Sequence, residues 1–239
     1  MRDWIDYERP IVADHSGQAV FECRATDYAG NVSAVREFTV SIDTTPPVTT
    51  ASDADSRWHR APVWLWLTAS DDLGGSGVAR TEYKLDAGDW TAGASCTVPA
   101  PADHSGDGEH TVAYRSVDAA GNVEPAKTVT VWIDTVRPAV AAPKAAKAKR
   151  GAKATLRYKV TDAVPNSGKA VVVIQVKNAK GKLVKTLKLG QRPVTNALQS
   201  AAFTVRKKWP RGSYRFSVYA TDAAGNKQLK VASNRLIVR

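Results

Sequence analysis

A five-residue phrase recurs three times along the chain: Asp27-Tyr-Ala-Gly-Asn31, Asp118-Ala-Ala-Gly-Asn122 and Asp222-Ala-Ala-Gly-Asn226. Each copy follows an alternating, strand-like run (residues 21–25, 112–116 and 214–220) and precedes a second β-rich run, such as 38–42 or 128–133. Gly and Asn tolerate the positive φ that a reversal needs, and a short carboxylate can accept the N–H groups of a turn. Each phrase therefore predicts a hairpin corner, with Asp27, Gly30, Asn31, Asp118, Gly121, Asn122, Asp222, Gly225 and Asn226 as structural turn residues. The corners lie 91 and 104 residues apart, about the length of one β-sandwich domain. A chain assembled from repeated β modules points to a structural or binding role rather than to chemistry.

Composition narrows the class. A chain of 239 residues with 43% hydrophobic content is globular, and its 12 Pro and 16 Gly are too few for a collagen or a low-complexity sequence. The apolar run Ala170-Val-Val-Val-Ile174 is strand-sized, far short of the roughly 20 residues of a membrane helix, so no membrane span is expected. Met1-Arg-Asp-Trp-Ile-Asp6 has neither the basic region nor the apolar core of a signal peptide. Cys23 and Cys96 fall at non-equivalent points of their modules, so the Cys pair of an antibody-type domain is missing. Each reads as a buried or partly buried small apolar residue, and the sequence fixes neither pairing nor redox compartment. Charge is split along the chain. Residues 1–136 hold 10 Lys and Arg against 21 Asp and Glu; residues 137–239 hold 24 against 2, Asp162 and Asp222. Opposite halves predict attraction along the chain or a basic end aimed at an anionic partner.

Residues 4–43 parallel residues 90–134, including Ala13-Asp-His-Ser-Gly17 against Ala102-Asp-His-Ser-Gly106. Only 26 residues precede the first corner, whereas the second has a whole set of strands ahead of it. Residues 1–46 are thus expected to be the C-terminal half of a truncated repeat from a longer protein. Its signal peptide would lie upstream; a neighbouring chain donating the missing strands is the rival expectation. Asp43-Thr-Thr-Pro-Pro47 and Asp134-Thr-Val-Arg-Pro138 are short, stiff connectors, because proline fixes φ and restricts its predecessor, and they predict a rod. In the module that follows, Val63, Leu65, Leu67 and Ala69 alternate with Trp64, Trp66 and Thr68, the period of a half-buried strand. The expected fold is all-β: tandem immunoglobulin-like sandwiches with short Pro-containing linkers and no significant helix. The expected modules are 1–46 (half), 47–138 (complete) and 139–239 (complete and basic).

Two resemblances attach to these residues. Ser76-Gly-Val78, Glu82-Tyr83, Leu85-Asp86, Gly88, Trp90, Gly108-Glu-His110 and Tyr114, ending in Asp118-Ala-Ala-Gly-Asn-Val-Glu124, resemble bacterial Ig-like repeats of secreted and cell-wall proteins. The family named after a leptospiral outer-membrane surface protein is the nearest in pattern, covering 48–136 fully and 1–46 in part. Gly181-Lys-Leu-Val-Lys-Thr-Leu187, Trp209, Gly212, Tyr214 and Ala220-Thr-Asp-Ala-Ala-Gly-Asn226 resemble the Ig-like domain of the flagellar hook-capping protein. The resemblances imply extracellular stalk or adhesive modules on a bacterial surface, and transfer no catalytic residue.

Several chemistry-bearing residues have plain structural roles. His15 and His104 sit in matching Asp-His-Ser-Gly turns, and adjacent residues cannot converge as a triad does; turn chemistry is expected. His59 and His110 lack ligand-spaced partners, and Gly74-Gly75-Ser-Gly77 lacks the Lys and helix of a phosphate loop. No cofactor is expected, with calcium as the one candidate: Asp43, Asp71, Asp72, Asp118 and Asp134 lie in loops or at module ends, where oxygen ligands can converge. Trp64, Trp66 and Trp132 face outward on their strands and are candidates for stacking on sugar rings. Lys147, Lys149, Arg150, Lys153, Arg206, Lys207, Lys208 and Arg211, with outward Arg157, Lys159, Lys177, Lys185 and Arg215, form the candidate polymer-binding set. The expected partners are an anionic cell-wall polymer or polysaccharide and further Ig-like modules of the same parent protein. A recognition helix for specific nucleic-acid binding is absent from the pattern. The function expected is a non-enzymatic structural or adhesive segment of a secreted bacterial surface protein. The alternative is an accessory tail of a secreted polysaccharide-active enzyme.

Overall fold

The structure, a computed structural model, describes residues 4–12, 15–52 and 55–239. Ala13 and Asp14, which open the first Asp-His-Ser-Gly turn, lie outside the described residues. Among those described there is no helix; strands and turns carry the whole fold, as the period-2 patterning requires. By compactness the chain divides into two units, one of residues 1–53, 65–96 and 112–129, the other of residues 54–64, 97–111 and 130–239.

Strands β1 (Gly17–Cys23) and β2 (Arg36–Ile42) form an antiparallel hairpin in unbroken register from Gly17 opposite Ile42 to Cys23 opposite Arg36. Phe21 and Phe38 face each other and stack at 5.4 Å. No residue of either strand is buried: Val20, Phe38 and Val40 are all exposed. Cys23, expected to be at least partly buried, is exposed because its strand belongs to a ribbon with both faces open; Cys96 is buried, and both are free thiols.

Then come β3 (Val48–Ala51), β4 (Trp58–His59), β5 (Val63–Ser70), β6 (Val78–Leu85), β7 (Thr91–Ala92), β8 (Ser95–Val98), β9 (Gly108–Asp118) and β10 (Lys127–Ile133). They form a three-stranded sheet, β3-β5-β8, and a five-stranded sheet, β4-β10-β9-β6-β7. On β5, Val63, Leu65 and Leu67 are buried while Trp64, Trp66 and Thr68 are exposed, the alternation that the sequence dictates.

The remaining strands are β11 (Ala139–Ala141), β12 (Ala146–Ala148), β13 (Lys153–Thr161), β14 (Lys169–Lys177), β15 (Leu183–Pro193), β16 (Thr195–Thr204), β17 (Gly212–Asp222) and β18 (Ala232–Val238). Their sheets, β11-β13-β16 and β12-β18-β17-β14-β15, repeat the preceding two strand for strand. Even the short parallel pairing of β4 with β10 returns, as β12 with β18. A core of Leu156, Tyr158, Val160, Val172, Ile174, Phe216, Val218 and Leu236, all essentially inaccessible, fills the space between the last two sheets. Burying such side chains contributes about 1.5–3 kcal/mol each. Trp209 stacks on Tyr214 at 5.0 Å and tilts against Phe203 at 5.8 Å, and the Tyr214 hydroxyl donates to the Pro210 carbonyl at 2.9 Å. These contacts anchor the cationic segment 206–211.

Candidate functional site

The three corners share one hydrogen-bond plan. In each, the Gly adopts φ of 90 to 94°, the left-handed region it occupies without a Cβ penalty, and its N–H donates to the Asp carbonyl. The Asn N–H donates to the Asp carboxylate at 2.8–2.9 Å in all three. The residue two after the Asn accepts the N–H two residues before the Asp: Ser33 from Ala25, Glu124 from Ser116, Gln228 from Ala220. The Asn side chains differ in what else they reach. Among the described residues the Asn31 side chain donates to Asp27 alone, whereas Asn122 also donates to the Asp43 carbonyl at 3.0 Å, and Asn226 donates to the Asp134 carbonyl at 2.8 Å. The second and third corners thus hold the first residue of the connector that precedes their module.

Carboxylates gather where the connectors are held. Asp134 is fully buried and Asp222 nearly so, Asp162 is half-buried, and one oxygen from each lies within 4.8 Å of the others. Asp134 accepts the Val136 N–H at 3.2 Å and Asp222 the Asn226 N–H at 2.8 Å, each through Oδ1. Their Oδ2 atoms, and both oxygens of Asp162, have no hydrogen-bond partner among the described residues. Burial, then the charges of Asp222, Asp162 and Asp107, push the Asp134 carboxyl up to about 7. Burial and Asp222 push Asp162 up to about 6, and burial raises Asp222 as well. Asp107 is occupied by the Thr135 N–H and hydroxyl at 3.1 and 2.7 Å.

A second group, Asp43, Asp71 and Asp72, also brings its oxygens within 4.8 Å, in a more exposed setting. Asp43 accepts the N–H groups of Ser76 and Thr45 at 2.7 and 3.0 Å, and hydrogen bonds led by Ser76 hold its carboxyl below the usual range. Asp71 accepts the Gly77 N–H at 2.7 Å. The sequence pooled Asp43, Asp71, Asp72, Asp118 and Asp134; the structure gathers Asp43, Asp71 and Asp72 in one group, and Asp134 with the unforeseen Asp162 and Asp222 in another. A signal for Asp162 was present: Asp43 to Asp134 and Asp71 to Asp162 are both 91 residues, the spacing of the first two corners.

The polymer-binding candidates Lys147, Lys149, Arg150, Lys153, Arg206, Lys207, Lys208 and Arg211 are all exposed. Lys149, Arg150, Lys207 and Arg211 line one groove with Val238 and Arg239. Backbone bonds build it: Arg150 N–H to the Arg239 carbonyl, Arg239 N–H to Ala148, and Gly151 N–H to Val205. Gly151 has φ of 81°, the left-handed region that favours glycine, and a Cβ there would stand 3.3 Å from the Lys207 stem. A second cationic feature joins Lys177 and Arg215, already expected to face outward, to Arg235, which the sequence did not single out. Lys177, Arg215 and Arg235 lie directly opposite one another on β14, β17 and β18, and all three are exposed.

Trp64 and Trp66 are 59% and 58% exposed, whereas Trp132 is half-buried and packs on Trp58 at 5.2 Å. In the Asp103-His-Ser turn, Ser105 donates to Asp103 while His104 faces Thr135, so no Ser–His contact forms there. His59 pairs with Asp55 at 2.8 Å, and the His110 ring meets the Gly106 carbonyl. No described helix is long and apolar enough to cross a membrane.

No curated protein matches the chain. Similar solved structures include the fibronectin(III)-like modules of Clostridium thermocellum CbhA, at 13% identity and TM-score 0.44, covering 80% of this chain and 94% of that one. The three N-terminal domains of the highly immunogenic outer capsid protein of bacteriophage RB49 align at 10% identity and TM-score 0.49, covering 95% and 91%. The tetra-tandem repeat from the extending region of a large adhesion protein aligns at 20% identity and TM-score 0.38, covering 92% and 56%. Over the last module, where the sheets, the corner and the basic groove come together, residues 138–236 match the family model of a bacterial Ig-like domain.

Proposed function

We propose that the chain is a non-catalytic, extracellular segment of a bacterial surface protein whose last module grips an anionic envelope polymer. The observation that supports this reading is the cationic surface of residues 137–239. Their only carboxylate side chains, Asp162 and Asp222, are turned inward, which leaves the groove lysines and arginines without acidic partners from their own module. Like charges set opposite each other across strands, as Lys177, Arg215 and Arg235 are, cost stability unless a counter-charge covers them. A flexible polyanion supplies that charge and gains affinity by releasing its own counterions. Purified cell walls bearing teichoic acid or acidic polysaccharide should retain the protein at low salt and release it at high salt. The pair Lys207→Glu and Arg211→Glu should lose most of that retention. Binding indifferent to salt, or to this pair, refutes the reading.

A second reading rests on Trp64 and Trp66. Exposed indoles are flat apolar platforms, so an accessory carbohydrate-binding role beside a secreted enzyme is the alternative. It requires retardation in gels containing neutral polysaccharide, abolished by Trp64→Ala or Trp66→Ala and insensitive to salt.

A further inference from the structure

We propose that Asp134, Asp162 and Asp222 form a binding site for a hard divalent cation of the calcium class. The three residues come from distant parts of the sequence: the connector before β11, the loop after β13, and the corner between β17 and β18. Their side chains present four carboxylate oxygens that no donor among the described residues satisfies, two of them on residues that are 0% and 5% exposed. Buried polar atoms are nearly always hydrogen-bonded, and an unpaired buried carboxylate is strongly unfavourable, so three converging on one point call for a ligand. The remaining oxygens of Asp134 and Asp222 are fixed by backbone N–H groups at 3.2 and 2.8 Å, which orients the free ones.

The chemistry of the donors selects the ion. All are carboxylate oxygens, with no sulfur or imidazole, which favours a hard cation over zinc or copper. Oxygens bound to one calcium at about 2.3–2.6 Å stand at most about 5 Å apart, which agrees with the 4.8 Å span here. Peptide carbonyls and water would complete the six to eight ligands that calcium takes, whereas magnesium demands a tighter octahedron. A cation that binds only the folded chain adds stability by mass action and ties the connector to two loops of its module. The Asp43, Asp71 and Asp72 group is more exposed, and the Thr45 and Ser76 N–H groups already occupy both oxygens of Asp43.

Calorimetric titration of the full chain with calcium, after stripping with EDTA, tests this, together with melts in EDTA, calcium and magnesium. Asp162→Asn is the informative variant, because the Asp162 side chain makes no hydrogen bond whose loss would unfold the protein. Calcium should bind the parent and raise its Tm by several degrees, with magnesium much weaker. Asp162→Asn should fold, match or exceed the parent's Tm in EDTA, and lose affinity about 10-fold or more. Absence of heat with identical melts in EDTA and calcium overturns the site. So does calcium binding that survives Asp162→Asn but disappears in Asp72→Asn, and equal response to magnesium overturns the calcium class.

Discussion

Glu124 shows how one side chain can bind a corner to the strand before it. Its Oε1 accepts the Thr49 N–H at 2.9 Å and faces the Lys127 ammonium at 2.6 Å; its Oε2 accepts the Thr49 hydroxyl and the Ser116 N–H. Burial alone would raise this carboxyl, but the hydrogen bonds from Lys127 and Thr49 together hold it below its ordinary value of 4.5. A depressed folded value means the stabilisation is complete above the unfolded pKa and is lost as pH falls through the folded one. Urea midpoints should therefore fall below about pH 4.5, and Glu124→Gln should flatten that fall. Glu124→Gln, which keeps one of two acceptor oxygens, should cost about 1–3 kcal/mol at neutral pH in the same melts. A glutamine does serve at the matching place of the last module, where Gln228 has a single N–H to accept. The cysteines give a second check. One thiol, Cys23, should react with a thiol reagent in the native protein, and Cys96 only after unfolding, since Cys96 is buried and burial raises its pKa.

Among the strands, the β14-β17-β18 sheet and the β1-β2 ribbon are opposite cases. Phe216 sits at the centre of the last module's core with no accessible surface, so Phe216→Ala should cost about 3–5 kcal/mol in chemical denaturation. On the outer face of the same strand Arg215 lies between Lys177 and Arg235. Arg215→Glu replaces two like-charge pairs by opposite ones and should stabilise the protein by about 0.2–1 kcal/mol per pair, while weakening retention on anionic walls. A variant that gains stability yet loses binding would separate the two roles of that row. The β1-β2 ribbon has a complete ladder but no buried residue, and two-stranded ribbons are marginal without a covered face. Its amides should exchange with deuterium far faster than those of β14 and β17.

For the whole molecule, the repetition visible in the sequence returns as repetition of topology, with two eight-strand sets wired in the same order. Period-2 alternation chose the buried side of β5, and the Gly-Asn pairs chose the corners, because both signals act between near neighbours in the chain. The charge split was legible for the same reason: it is a property of composition, and the basic candidates are exposed as expected. Spatial convergence was not legible. Lys149 and Arg150 join Lys207 and Arg211 in a groove only because backbone bonds at 148–152 bring those segments together. Lys177, Arg215 and Arg235 align only once the strand register is set. Asp222 reads as an ordinary turn residue, and Asp162 only as one of two acids in a basic half, until three separate loops place them beside Asp134. The sequence by itself determined the strands, the corners and the sign of each half. The tertiary structure decided which charges meet, because register, burial and loop closure set the distances on which electrostatics depends.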